Sequence, residues 1–375
     1  MFIVGFVIFI YLLFRAILPV KGNIAFKIFG TLLIALGAFK YSLVYFLGGP
    51  MFFAPQLPAW GLAVASLLYG GTLFFAVLVL FGDLLWILFW AGRKLAGRSG
   101  SFRHAHNQVN LLLLTLSLLL AGIGWMEAER LPRVRKLTLE VPDLPQSIQG
   151  MRVVALADLH ADVLNDENKM AGIVLRTNAL EPDLVVIVGD FVDGTVLQRG
   201  KTLVPLRALN SRLGVYGVSG NHEYYSGYGE WKKHLERLGI RMLDNRGVML
   251  PNGLGVVGVT DPAALSYGME GPDLDKALAG VRPGAVKLFL SHRPELARQA
   301  CKEGFALQIS GHTHGGMVWG LDRVVARANG GFVSGFYDVK GMPLYVSNGT
   351  CLWSGFPFRL GSPSEITCFT LVGKR

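Results

Sequence analysis

Five short clusters in this chain gather side chains that hold metal ions and move protons. They are Asp158-Leu159-His160, Gly189-Asp190-Phe191-Val192-Asp193, Gly220-Asn221-His222-Glu223, Ser291-His292-Arg293-Pro294 and Gly311-His312-Thr313-His314-Gly315-Gly316. The chain has eight histidines, and five of them lie in these clusters. Imidazole, carboxylate and amide oxygen together suit Mn, Fe or Zn better than Ca. The chemistry that fits is hydrolysis of a phosphate ester, whose negative charge repels hydroxide. Two divalent cations ~3.5–4 Å apart neutralise that charge and generate hydroxide near neutral pH, and a carboxylate can bridge them. The candidate ligands are Asp158, His160, Asp190, Asn221, His292, His312 and His314. Glycines before them let the backbone turn sharply off the preceding strand.

No cluster is decisive alone. Asp-Leu-His can cap a helix, Gly-Asp commonly makes a turn, and a lone His292 reads equally well as a structural histidine. Gly-Asn-His-Glu is more specific, and Gly-His-Thr-His-Gly-Gly is the most specific of the five. Glu223 and Asp193 read first as turn or cap residues, with orientation of their neighbours as the alternative.

What places the clusters together is the pattern around them. From about Arg135, short apolar runs alternate with turns and amphipathic stretches. Strands are expected at 136–141, 152–157, 184–188, 215–219, 255–259, 286–290, 307–310, 344–347 and 366–372. Helices are expected at 165–177, 201–213, 231–238 and 295–303. Strands alternating with helices imply an α/β domain with helices covering the sheet. Each cluster sits just past the C-terminal end of an expected strand, the edge where open α/β sheets bind ligands.

These five motifs, in this order, resemble the calcineurin-like metallophosphoesterase superfamily over residues 150–375. The tail Leu344-Tyr345-Val346-Ser347-Asn348-Gly349 and the later Arg359-Leu360-Gly361 are similar to its membrane-associated branch, which includes a type with four N-terminal transmembrane helices. The resemblance implies an α/β/β/α four-layer sandwich. It also implies that one metal is held by Asp158, His160, Asp190 and His314. The other is held by Asp190, Asn221, His292 and His312, with Asp190 bridging. His222 is implied to stabilise or protonate the leaving oxygen while a metal-bridging hydroxide attacks phosphorus. Met317 and Asn348 depart from the pattern beside the ligands, which bears on substrate preference rather than on catalysis.

The first third of the chain differs sharply. Apolar stretches of spanning length, which is ~20 residues, are expected at 2–20, 26–47, 61–91 and 109–125, with 131–149 as linker and first strand. Residues 1–149 carry 12 Lys/Arg against 5 Asp/Glu, whereas 150–375 carry 24 against 21. The net charge of +10 therefore belongs mainly to the membrane part, and no dense basic and aromatic groove for nucleic acid is evident. Basic residues follow the first and third stretches, which puts those loops in the cytoplasm and the C-terminal domain outside it. Arg130, Arg133, Arg135 and Lys136 run against that orientation. Asp83 is expected at the bilayer interface beside Trp86 and Trp90, and Lys40 is expected to snorkel. Three widely spaced cysteines suggest free buried thiols.

The partners implied are a lipid bilayer and a phosphate mono- or diester, which a membrane site opens to lipid-linked phosphates. The alternatives are a soluble-nucleotide or phosphosugar phosphodiesterase, a non-catalytic metal-binding scaffold, and a transporter built from the apolar helices.

Overall fold

The computed structural model describes residues 2–49, 51, 54–97 and 106–374, with side chains from 108 onward in the last stretch. Arg98 and Arg103, two of the basic residues that follow the third apolar stretch, lie outside the described residues. The chain forms two compact units, Met1–Met126 and Glu127–Arg375.

In the first unit, two helices among the described residues are long and apolar enough to cross a membrane, Ala59–Leu95 and Gln108–Glu129. The expectation of four continuous spans needs revision. The stretch 26–47 is two helices, Ile24–Ala38 and Lys40–Gly48, bent by 71° and able to make at most one broken crossing. Just before the bend, Gly37 packs so closely on Ala59–Leu95 that a Cβ there would lie 2.6 Å from the Leu68 carbonyl oxygen. The stretch 2–20 is a shorter apolar helix whose last turn, Leu13–Ile17, widens to π geometry.

That wide turn carries Arg15, whose guanidinium pairs with Asp83 at 2.5 Å, while the Tyr11 hydroxyl donates to the same carboxylate at 2.9 Å. Asp83 thus has specific partners that the sequence did not indicate. Lys40 does not snorkel. It is buried, with its ammonium 5.4 Å from the ring centroids of both Tyr41 and Tyr69, where cation–π attraction offsets lost hydration.

Among the described residues, the second unit holds twelve strands. They are β1 (Arg133–Val141), β2 (Arg152–Leu156), β3 (Leu184–Val188), β4 (Val215–Val218), β5 (Ile240–Met242), β6 (Arg246–Met249), β7 (Gly255–Gly258), β8 (Lys287–Leu290), β9 (Leu307–Ser310), β10 (Gly335–Val339), β11 (Met342–Val346) and β12 (Glu365–Gly373). They form two six-stranded sheets, ordered β1-β12-β2-β3-β4-β5 and β10-β11-β9-β8-β7-β6. The central strands β2, β3 and β4 are parallel, as are β7, β8 and β9. Parallel strands covered on both faces read as unbroken apolar runs, and Leu184-Val185-Val186-Ile187-Val188 is buried throughout.

Alternate side chains of each strand point to opposite faces. Val153, Val186 and Val218 join Leu288, Ile309 and Tyr345 in one apolar layer between the sheets. On the outer face of the first sheet, Val154, Val185 and Ile187 pack with Met170, Ile173, Trp231 and Leu235 from helices Glu167–Asn178 and Tyr228–Arg237. On the outer face of the second, Val257, Phe289 and Leu344 pack with Ala277 and Ala297. The domain is therefore an α/β fold of two sheets with helices outside. Because most strands run the same way, their C-terminal ends share an edge.

Candidate metal centre

Each candidate ligand leaves the sheets at that edge. Asp158 and His160 follow β2, Asp190 follows β3, Asn221 and His222 follow β4, His292 follows β8, and His312 and His314 follow β9. Six of the seven candidate ligands, with His222, are drawn into two adjoining clusters. In one, His160 Nε2 lies 3.0 Å from His314 Nε2 and 3.7 Å from Asp190 Oδ2, and His314 Nε2 is 3.8 Å from Asp158 Oδ1. In the other, His292 Nε2 lies 3.2 Å from both Asp190 Oδ2 and His312 Nδ1. Asp190 reaches both. Asn221 is buried, and its Oδ1 has no hydrogen-bond partner among the described residues.

The backbone is bent to aim these groups. Asp158, His160, Asp190, His312 and His314 all adopt left-handed conformations, with φ between 40° and 71°. Such a residue costs on the order of 1–3 kcal/mol and persists only where its surroundings impose it. The glycines act more through room than through turning. A Cβ on Gly220 would fall 2.2 Å from Asp190 Oδ1, and one on Gly311 would fall 2.6 Å from Asp158 Oδ2.

Two acids outside the ligand set hold the geometry. Glu223 accepts from the backbone N–H groups of Asp190, Phe191 and Gly220 at 3.0, 2.7 and 2.7 Å. The sequence reading as a cap is correct for Gly220, but the same carboxylate also clamps the loop that carries Asp190. In Glu223→Gln, the terminal NH2 can no longer accept, and at least one buried N–H loses its partner. The expected cost is about 1–3 kcal/mol, read as a lower melting temperature of the metal-free protein. An unchanged melting temperature would refute the clamp.

Asp193, fully buried, places Oδ1 3.2 Å from His160 Nδ1 and 2.5 Å from His222 Nδ1. It fixes two imidazoles at once, which is more than a turn residue would do. His292 is oriented differently: its Nδ1–H donates to the Val188 carbonyl at 2.8 Å, which turns Nε2 toward Asp190 Oδ2.

Charge in the cluster is balanced by protons on imidazole. Burial draws His160 and His292 down, but Asp193 acts on the first and Asp190 on the second, lifting them to about 9 and about 10. His222 is raised in the same way by Asp190 and Asp193 against burial. Asp190 is held well below the usual carboxylate range, since His292 and His222 outweigh its burial. His312 and His314 are kept neutral by burial and by the cations beside them. Two buried carboxylates, an orphaned amide oxygen and converging imidazole nitrogens are donors of the types that can hold divalent cations. Three groups of these residues have ligand atoms close enough to hold an ion: Asp158-His160-His314, Asp190-His292-His312 and His160-Asp193-His222.

Several neighbours had no role in the sequence reading. Tyr225 and Trp353 flank His222, with ring centroids 5.2 and 6.1 Å away. Arg293 donates through Nε to buried Asp261 at 2.9 Å, and its charge acts on both His312 and Tyr225. Arg359, fully buried, donates to the carbonyls of Cys351 and Ser362 and stands 3.3 Å from the His314 ring. Arg293 lay inside a quoted motif and Tyr225 lies on the helix of His222. Nothing in local sequence pointed to Trp353.

Comparison with known proteins gives independent findings. Residues 151–316 match the family model described as calcineurin-like phosphoesterase. A "Transmembrane protein with metallophosphoesterase domain" from Danio rerio is 35% identical over 285 residues, covering 73% of this chain and 64% of its own. Its namesake from Bos taurus is 36% identical over 271 residues, covering 68% and 61%. The chain thus spans less than two thirds of the length of these two relatives. An "Uncharacterized metallophosphoesterase" from Campylobacter jejuni is 32% identical over 273 residues, covering 72% of this chain and 70% of its own.

Proposed function

This chain belongs to the calcineurin-like phosphoesterase family, and from that premise we propose that it is a membrane-anchored, dinuclear-metal hydrolase of phosphate mono- or diesters. The observation that carries the reading is the convergence of Asp158, His160, Asp190, His292, His312 and His314 into two clusters that share Asp190. Asp158, His160, Asp190 and His314 would hold one cation, and Asp190, Asn221, His292 and His312 the other. The donor types favour Mn, Fe or Zn. Bound there, the cations would supply charge neutralisation and an acidified water.

The chain's own residues do the rest. Asp193 fixes Nδ1 of His222 and favours its protonated form. The Nε2–H of that imidazolium is the general acid for the leaving oxygen. Tyr225 and Trp353 wall the approach to it.

Anchoring is supported by the two apolar helices of spanning length. We include the bent pair and the helix Phe2–Ile17 as further membrane-inserted segments, four in all. Lys21, Lys27, Arg93 and Lys94 favour a cytoplasmic place for their loops and an extracytoplasmic domain. Protease access to the domain in intact cells tests that side.

The decisive experiment is hydrolysis of chromogenic phosphate mono- and diesters by the full-length protein. Turnover should disappear on chelation and return with Mn, Fe or Zn. Metal-loaded protein that hydrolyses neither ester would leave a non-catalytic metal-binding scaffold.

Metal affinity should depend steeply on pH. Without metal, His160 and His292 hold protons at neutral pH, because their values are about 9 and about 10. Uptake must release those protons, so affinity falls as pH falls, by about tenfold per unit for each proton displaced. Titration with Mn between pH 6 and pH 8 checks this. A flat profile would mean that these imidazoles are not ligands.

A further inference from the structure

Two of the strands whose ends lead to the site continue into segments that expose large apolar side chains. Leu197, after β3, and Trp319 and Val324, after β9, are 98, 85 and 62% exposed. A single exposed apolar residue needs no explanation, but Trp319 and Val324 share one short segment.

The segment Trp319–Ala328 shows the pattern most fully. It leaves the last metal-binding loop directly: Met317 N–H donates to the His314 carbonyl at 3.1 Å, and Trp319 N–H donates to the Leu360 carbonyl at 2.8 Å. The helix Asp322–Ala328 begins against that loop, since a Cβ on Gly316 would lie 2.4 Å from Asp322 Cα. Asp322 is occupied locally, accepting from Gly320 N–H. That leaves Trp319, Val324, Arg323 and Arg327 exposed on the solvent side. The Trp319 indole has no hydrogen-bond or ring partner among the described residues. An exposed tryptophan with an aliphatic neighbour and two guanidinium groups matches the membrane–water interface, where indole rings concentrate and anionic headgroups attract arginine.

We propose that Trp319–Ala328 is a bilayer-contact element that seats the metal site on the membrane surface, so that the substrate class is a phosphate ester carrying a lipid tail. This rests on the phosphoesterase reading for the chemistry, but the contact itself does not. The occupant favoured is lipid rather than protein because the chain carries its own apolar helices of spanning length. Only residues 130–132 separate Gln108–Glu129 from β1. A tether that short keeps the effective concentration of lipid surface high.

The test uses full-length protein in nanodiscs of phosphatidylcholine and phosphatidylglycerol, with bromine on the acyl chains as a contact quencher. Wild-type tryptophan emission should contain a quenched component that Trp319→Tyr removes. Identical fractional quenching in the two proteins would overturn the contact. In parallel, hexadecyl and methyl esters of p-nitrophenyl phosphate are compared. Trp319→Ser with Val324→Ser should raise KM for the hexadecyl ester about tenfold and leave methyl-ester turnover unchanged. Equal effects on both esters, or none on either, would overturn the substrate class. If wild type hydrolyses neither of these diesters nor p-nitrophenyl phosphate itself, the phosphoesterase reading fails, and quenching alone then decides the contact.

Discussion

Asp190→Ala will lose both metal ions and nearly all turnover while keeping its fold. The carboxylate reaches His292 at 3.2 Å and His160 at 3.7 Å, and its other oxygen accepts from the His222 backbone N–H at 2.9 Å. It is the one group common to both proposed ligand sets, so neither set remains complete without it. A cation pair supplies several kcal/mol of charge stabilisation in the transition state. At about 1.36 kcal/mol per decade, its loss lowers kcat about 10³–10⁴-fold. Without metal the change should still cost stability, because Asp190 is held as an anion by His292 and His222 and accepts from the His222 backbone N–H. The melting temperature of the metal-free variant should therefore fall below that of metal-free wild type while the unfolding transition stays cooperative. Asp158→Ala, by contrast, should lose one ion and keep the other. Elemental analysis beside kcat separates these outcomes. An Asp190→Ala protein that retains two ions per chain would end the bridging assignment.

The convergence of the candidate ligands was easier to read in the sequence than what holds them. Asp158, Asp190, Asn221 and the paired histidines stood out because each follows a buried apolar run, and strand periodicity places such ends on one edge. The left-handed backbone at five of these candidates was not legible. Neither Asp nor His announces that conformation, which comes from the surrounding loops. Glu223 and Asp193 looked like turn residues because their partners lie ~30 positions away in the chain, beyond any local pattern. Strands β5, β6 and β10 went unseen for a related reason. They are short or edge strands, three to five residues long, and their pairing rather than their composition makes them strands. Stretch 201–213 has helical spacing, yet Pro205 confines it to a 3-10 helix, Gly200–Ala208. In the apolar unit, hydropathy found the segments but not the 71° bend or the Arg15–Asp83 pair, both of which depend on helix–helix contact. Cys301 is only partly buried, unlike Cys351 and Cys368.

His222→Gln should separate catalysis from metal binding. Its Nδ1 is taken by Asp193 and its ring belongs to neither ligand set, so both ions should remain while kcat falls about 10²–10⁴-fold, the range for a positioned general acid. Asp193 acts through it. Replacing Asp193 by Asn removes the negative charge that holds His222 in its protonated form, and its amide can present a donor to Nδ1 instead of an acceptor. His222 is raised in the wild type, so its acid function persists to higher pH than that of an ordinary imidazole and fades as pH climbs through that raised value. Without Asp193 the value drops, and the high-pH limb of the kcat profile should move to lower pH. A leaving group that needs no protonation, such as p-nitrophenolate, should suffer less from His222→Gln than an alkoxide does. Because Asp193 works through His222, the double variant should be about as slow as His222→Gln alone rather than multiplicatively slower. Additive losses would mean that the contact of Asp193 with His160 also contributes, through the metal cluster, and metal content in Asp193→Asn would then fall as well.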